Sequence, residues 1–415
     1  MRFERISNWI AAIGVVLWVS LGWSGRAMAD VVDDWNETAA TLIAASGPAG
    51  WVPIAITHVA IYDAVNSIDK NHTAYAVTAA ANTKNASQEA AVATVAHGVL
   101  LSLFPNEKAL LDRKYAESLA SVPDGSAETL GIAVGEEVAA RILALRAGDG
   151  RDASAAYTYP NGPGAYQPTP PAMAKAAAPQ LAKVIPFALT SPSQFRPEAP
   201  PELTSDRYAE DFNEILAAGG ANSGKRMPEQ SETALFHGLN PNVFWTTNLR
   251  AFVSSRSLNT ADSARLYAML YVSIADAVIA CWDAKFHYNF WRPVTAIRSA
   301  ETDGNPATNA DLAWLPLVTT PPHPEYPAAH SCVAASVAEV LHSYFGTTKL
   351  DMSFASTAER PTPKVHFYAT GDDLVKEIAD ARVFGGIHFR TSTVQGEVIG
   401  RQAGRALDHE QVLPP

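Results

Sequence analysis

Three short segments between Lys285 and Ser392 carry side chains suited to one chemistry. The first reads Lys285-Phe286-His287-Tyr288-Asn289-Phe290-Trp291-Arg292-Pro293. The second reads His323-Pro324-Glu325-Tyr326-Pro327-Ala328-Ala329-His330-Ser331, and the third Arg382-Val383-Phe384-Gly385-Gly386-Ile387-His388. Lys285, Arg292 and Arg382 could together hold a tetrahedral oxyanion. A guanidinium presents a planar fork of donors, an ammonium a point charge, and backbone N–H groups supply the rest. His330 and His388 then remain for nucleophilic, metal-ligand or acid–base work.

Spacing suggests how these groups converge. Lys285 and Arg292 are seven residues apart, two turns if a helix persists between them, and Pro293 ends or kinks that segment. The aromatic residues Phe286, Tyr288, Phe290 and Trp291 argue for a partly buried setting, where an unpaired cation is costly. Pro327-Ala328-Ala329 opens a helix whose first N–H groups point at an anion, with His330 in the first turn. Gly385-Gly386 breaks the helix after Arg382, so that Arg382 and His388 can turn to one point. Each segment alone also reads as ordinary surface charge, capping or a core histidine. Their completeness as a set favours the site.

The elements that must position these groups read as helices. Apolar content is 47% and charged content 18%, so 415 residues can bury a large core. Helices are expected over Trp51 to Ile68, from an Asn85/Gln88 capping box to about Phe104, over Asn106 to Leu119 and over Ser126 to Ala147. Others follow over Ser205 to Ala218, after Pro228, and from Asn259 to about Ala284, the last apolar nearly all round and therefore central. Further helices cover Pro327 to Phe345, Asp372 to Phe384, and Thr391 to Leu407. Residues 149–203 are rich in Pro, Gly and aromatics and read as an ordered strap over the helices. No run of alternating strands stands out. The fold class is all-α, a large helical bundle, with an N-terminal helical half at 30–148 and a C-terminal half at 204–415 carrying the site.

Residues 1–29 have the form of a signal peptide: basic Arg2 and Arg5, an apolar run from Trp9 to Leu21, and Ala27-Met28-Ala29 as cleavage site. No later stretch reads as a membrane span, so the mature protein is expected to be soluble and exported, periplasmic or secreted. The formal charge of −11, more negative once residues 1–29 are removed, disfavours nucleic acid and anionic lipid as partners. Cys281 and Cys332, the two cysteines, could form a disulfide or stay as two buried thiols.

The pattern Lys285-x6-Arg292-Pro293, Pro327-Ala328-Ala329-His330 and Arg382-x5-His388 resembles the signature of the vanadium-dependent haloperoxidases, which share a fold with the type 2 phosphatidic acid phosphatases. The resemblance extends over nearly the whole mature chain. It implies two four-helix bundles with the anion pocket at one end and vanadate as cofactor. It also implies His388 as the metal-bonding histidine, His330 as the acid–base residue, and Lys285, Arg292 and Arg382 around the non-bridging oxygens. The Ala329 N–H would act as an oxyanion donor, Lys285 would polarise bound peroxide, and His323 stands at a position linked to bromide or iodide preference. The implied activity is halide oxidation by hydrogen peroxide. The alternatives are an acid phosphatase that works on phosphate esters through a phosphohistidine at His388, and a non-catalytic oxyanion binder. A homo-oligomer is compatible with either enzyme. The sequence departs from the pattern at Ala328 (Ser in the family), Ala329 (Gly), Ala381 (Ser) and Ser392 (often Asp). Ser331 is a candidate replacement for the lost hydroxyl.

Overall fold

The protein is represented by a computed structural model that describes residues 31–359 and 364–407; the expected signal peptide lies outside the described residues. In chain order the α-helices are α1 (Val31–Ile43), α2 (Trp51–Asp69), α3 (Gln88–Leu103), α4 (Lys108–Leu119) and α5 (Ser126–Leu145). After the strap come α6 (Asp206–Ala218), α7 (Pro228–Phe236), α8 (Pro241–Ser254), α9 (Thr260–Tyr288) and α10 (Pro293–Arg298). The last three are α11 (Ala329–Phe345), α12 (Gly371–Phe384) and α13 (Arg390–Arg405). An antiparallel hairpin of β1 (Lys349–Ala355) and β2 (Val365–Thr370) precedes α12.

The hairpin corrects the strand-free reading. Leu350, Met352 and Phe354 alternate with exposed residues along β1, a period-2 pattern. Seven residues directly after a long apolar helix are too short for that signal to stand out. The start of α3 is a second correction. Ser87, not Asn85, caps it, accepting from Ala90 N, while Asn85 takes a left-handed backbone in the turn before it.

The α9 helix organises the fold. It is apolar nearly all round because it is covered nearly all round: α2, α11 and α13 all pack against it. One continuous core of buried side chains runs from Val32 to Leu407 through α9, so the two helical halves share it. This helix is also, among the described residues, long and apolar enough to cross a membrane, contrary to the sequence reading; nearly all of that stretch is buried inside the protein, which accounts for its composition. Asn259 caps its first turn through Asp262 N, and Asn289 ends it in a left-handed conformation.

Residues 149–203 are pinned to this helix and to the segments that follow it. The buried Asp276 carboxylate on α9 accepts the N–H groups of Phe187, Ala188 and Leu189, and Asp283 pairs with Arg196 through two bonds of 2.7 and 2.8 Å. Tyr166 N donates to Asn289 O, and Trp291 N to Gly164 O. These bonds fix the backbone on both sides of Phe290 and so aim Arg292.

The α11–α13 contact sets the floor of the site. Gly396, Gly400 and Gly404 recur every fourth residue on α13 and face Ala328, Ser331, Cys332, Ala335, Ser336 and Glu339. A Cβ on Gly400 would lie 2.1 Å from Cys332 O and 2.8 Å from Ala335 Cβ, so the helices could no longer approach this closely. Gly400→Ala is therefore expected to destabilise the protein by about 1–3 kcal/mol, read as a lower urea midpoint with unchanged slope. An unchanged midpoint would contradict the packing described.

Candidate oxyanion-binding active site

The three segments converge at one end of α9. Lys285, Arg292, Arg382 and His388 are all buried, and His323 nearly so. His323, Ala329, His330 and Arg382 line a cavity of about 380 Å³ whose walls include Trp51, Trp245 and Trp282. His330 stands in the first turn of α11, half-buried on the cavity wall, with no hydrogen-bond partner for its ring among the described residues.

Arg292 reaches the site by a different route from the one its spacing suggests. The helix ends at Tyr288, and Arg292 is the extended residue that precedes α10, so Pro293 opens a helix rather than ending one. Each of its three guanidinium nitrogens has a protein partner. Nε donates to His323 O, one terminal nitrogen to Ile387 O and, at 3.2 Å, to His388 Nε2, and the other faces His323 Nδ1 at 2.9 Å.

Lys285 also differs from expectation. Its ammonium donates to the carbonyls of Pro324, Glu325 and Pro327, which uses all three of its protons. It is thus a fixed charge that ties α9 to the segment bearing His323 and His330, and not a free donor to a ligand. Arg382 is the least satisfied cation. One terminal nitrogen donates to His237 O at 2.6 Å, while its buried Nε has no partner.

The residue that sequence reasoning left without a role is Glu325. Its Oε1 accepts from His388 Nδ1 at 2.8 Å and from Phe389 N, and its Oε2 accepts from Ser392 Oγ. The carboxylate fixes the His388 tautomer and leaves Nε2 unprotonated on the site side, where Arg292 meets it at 3.2 Å. Ser392 takes part through this carboxylate, so the support that an Asp at 392 would give comes from Glu325 instead. A lone Glu inside Pro-rich, apolar text was the available signal. Ser331 does not supply the missing hydroxyl: its Cβ packs against Gly396 on α13, and its buried Oγ has no partner. It sits on the face of α11 turned toward α13. Ala328 caps α11 without a side-chain bond, so the first N–H groups of the helix have no intrahelical acceptor. Cys281 and Cys332 are free, buried thiols, with Cys281 Sγ directed to Pro327 O at 3.7 Å.

The electrostatics follow from burial. Desolvation pulls Lys285 down to about 8 and Arg292 and Arg382 to about 10, and it pushes Glu325 up to about 7. Desolvation, followed by the neighbouring cations, holds His323, His330 and His388 well below the usual imidazole range, so the rings are neutral. Three cations thus share the site with one carboxylate. Buried cations in excess call for an anion.

Residues 265–412 match the family described as the second helical-bundle domain of vanadium chloroperoxidase. The chain is 29% identical, over 385 residues, to vanadium chloroperoxidase of Curvularia inaequalis, covering 72% of this chain. It spans 62% of the length of that relative. Its fold superposes on a bacterial vanadium-dependent iodoperoxidase with a TM-score of 0.76 at 24% identity, covering 91% of this chain and 95% of the other. A holo-type bacterial vanadium-dependent chloroperoxidase gives 0.70 at 19% identity, with the same coverage. The chain therefore shares the fold of these structures, and its residues 265–412 match the family model of that second helical-bundle domain.

The Lys285 charge gives a pH test. An oxyanion binds the ammonium form, so its affinity should fall above about pH 8 as the proton is lost, by up to roughly ten-fold per pH unit. Calorimetric titration with inorganic phosphate, which stays doubly charged there, reads this directly. In Lys285→Met, binding should be weaker and level through about pH 8, since Arg292 and Arg382 keep their protons there. A wild-type profile without a break would contradict the assignment.

Proposed function

We propose that the chain is a vanadate-dependent haloperoxidase that oxidises iodide or bromide with hydrogen peroxide. The observation that carries this reading is the uncompensated positive charge of Lys285, Arg292 and Arg382 around a neutral histidine that Glu325 holds by Nδ1. The donor set fits a highly charged tetrahedral oxyanion. Arg382 Nε is buried without an acceptor, and the first turn of α11 offers uncapped N–H groups. His388 Nε2 would hold the vanadium, Arg292, Arg382 and the Ala329 N–H the oxygens, and Lys285 the overall charge balance. Bound vanadate would supply a Lewis-acid centre that activates hydrogen peroxide toward attack by halide.

The protein's own groups have separate tasks. Glu325 keeps the His388 proton on Nδ1 and so keeps Nε2 available as a ligand. His330, neutral and on the cavity wall, accepts the proton that peroxide gives up, at a ring nitrogen free of protein partners. The Trp51, Trp245 and Trp282 walls and the neutral His323 ring, tilted on Trp282 with centroids 4.9 Å apart, favour a large, weakly hydrated halide over chloride.

A carboxylate-held neutral histidine can equally attack phosphorus, and the Glu325–His388 pair keeps the phosphatase reading in view. One set of assays separates the two. Full-length protein reconstituted with orthovanadate should oxidise iodide, and bromide more slowly, only when vanadate is present. His388→Ala should abolish turnover, and Glu325→Gln should lower it by about 10–100-fold. Hydrolysis of an aryl phosphate, lost in His388→Ala and without vanadate-dependent halide oxidation, would replace this reading with the phosphatase.

A further inference from the structure

A second polar cluster lies behind Arg382, outside the machinery described above. His237, which follows the last residue of α7, places Nε2 2.8 Å from Glu377 Oε1 on α12. His366 on β2 places Nδ1 2.7 Å from that same oxygen, and the Tyr368 hydroxyl donates to it at 2.6 Å. One carboxylate oxygen thus meets three partners, one more than its two lone pairs accommodate. The other face of the His366 ring explains why. Its Nε2 lies 2.8 Å from Glu232 Oε1 on α7, so a neutral ring with its N–H on Glu232 turns a bare Nδ1 lone pair toward an anionic oxygen. That contact is repulsive unless the two atoms share a cation or the ring carries a second proton.

Three features make this a built site. The three ligand atoms lie within 4.8 Å of one another, close enough to turn onto one ion. The His366 ring is locked by stacking on Phe236 at 3.7 Å with 8° between planes. Glu232 also provides the carboxylate that metal-bound histidines use to fix their tautomer. The formal charges agree as well, since Glu232 and Glu377 against two neutral imidazoles leave a double negative charge.

We propose that His237 Nε2, His366 Nδ1 and Glu377 Oε1 bind a divalent cation of the zinc type, with Tyr368 or water in the fourth position. Two nitrogens and one carboxylate oxygen form a common zinc ligand set. His237 is buried and Glu377 partly exposed, so the ion enters from the Glu377 side. The backbone carbonyl of His237 accepts the Arg382 guanidinium, so an ion on the ring would brace an oxyanion ligand from behind. The site stands independently of the reaction proposed for the pocket.

Cobalt(II) is the probe, because a tetrahedral cobalt site shows intense visible absorption. Chelator-treated full-length protein should bind a single cobalt ion per chain, develop that absorption, and lose it when zinc is added. His366→Ala should abolish the band, and His388→Ala should leave it intact. Glu232→Gln, which keeps every ligand, should weaken binding roughly ten-fold or more while preserving the band shape. This variant covers the case in which His366→Ala fails to fold, as judged by circular dichroism. Folded wild-type protein without cobalt or zinc binding would overturn the proposal and leave His366 as an imidazolium between two carboxylates. Binding that survives His366→Ala but not His388→Ala would overturn it too, by placing the ion in the oxyanion pocket.

Discussion

Burying three cations around a single carboxylate is the constraint on which the rest of this structure depends. An unpaired ion costs several kcal/mol to bury, so each cation here must be held by other means. Lys285 is held by three carbonyls, Arg292 by the carbonyls of His323 and Ile387, and Arg382 by that of His237. Those carbonyls belong to segments that the strap, the α11–α13 contact and the end of α9 keep in place. Among the described residues Glu325 is the carboxylate that lies with these cations, and it faces the histidine. Among the described residues the cations in the pocket therefore outnumber the carboxylates that touch them.

Much of the architecture was legible because its signals are local. The all-round apolarity of α9 announced a central helix, and Pro327-Ala328-Ala329 announced the start of α11 with His330 in its first turn. The β-hairpin was not read, because seven alternating residues after a long apolar helix give little contrast. The site was legible as a set of residue types but not as a set of bonds. Seven-residue spacing suggested that Lys285 and Arg292 share a helix face, yet Asn289 breaks the helix, and pairing of Gly164 with Trp291 aims Arg292. The role of Glu325 depends on its meeting His388 and Ser392 in space, which spacing along the chain cannot reveal. The same holds for His237, His366 and Glu377.

The departures at Ala328 and Ser392 have different consequences. Ser392 is compensated, since Glu325 supplies the carboxylate and Ser392 bonds to it. Ala328 is not, because Ser331 lies on the α13 side of its helix. The pocket thus lacks one hydroxyl donor, and loss of such a donor costs about 1–3 kcal/mol of oxyanion stabilisation.

The excess of cations can be tested without any turnover. If an excess of buried cations is a standing cost that an oxyanion relieves, orthovanadate and phosphate should each raise the midpoint of thermal unfolding. The shift should follow the logarithm of anion concentration once a single site is filled, and chloride at equal ionic strength should have no such effect. A midpoint that ignores both oxyanions, in protein of native helical content, would show that the cations are already neutralised within the fold and would contradict the account.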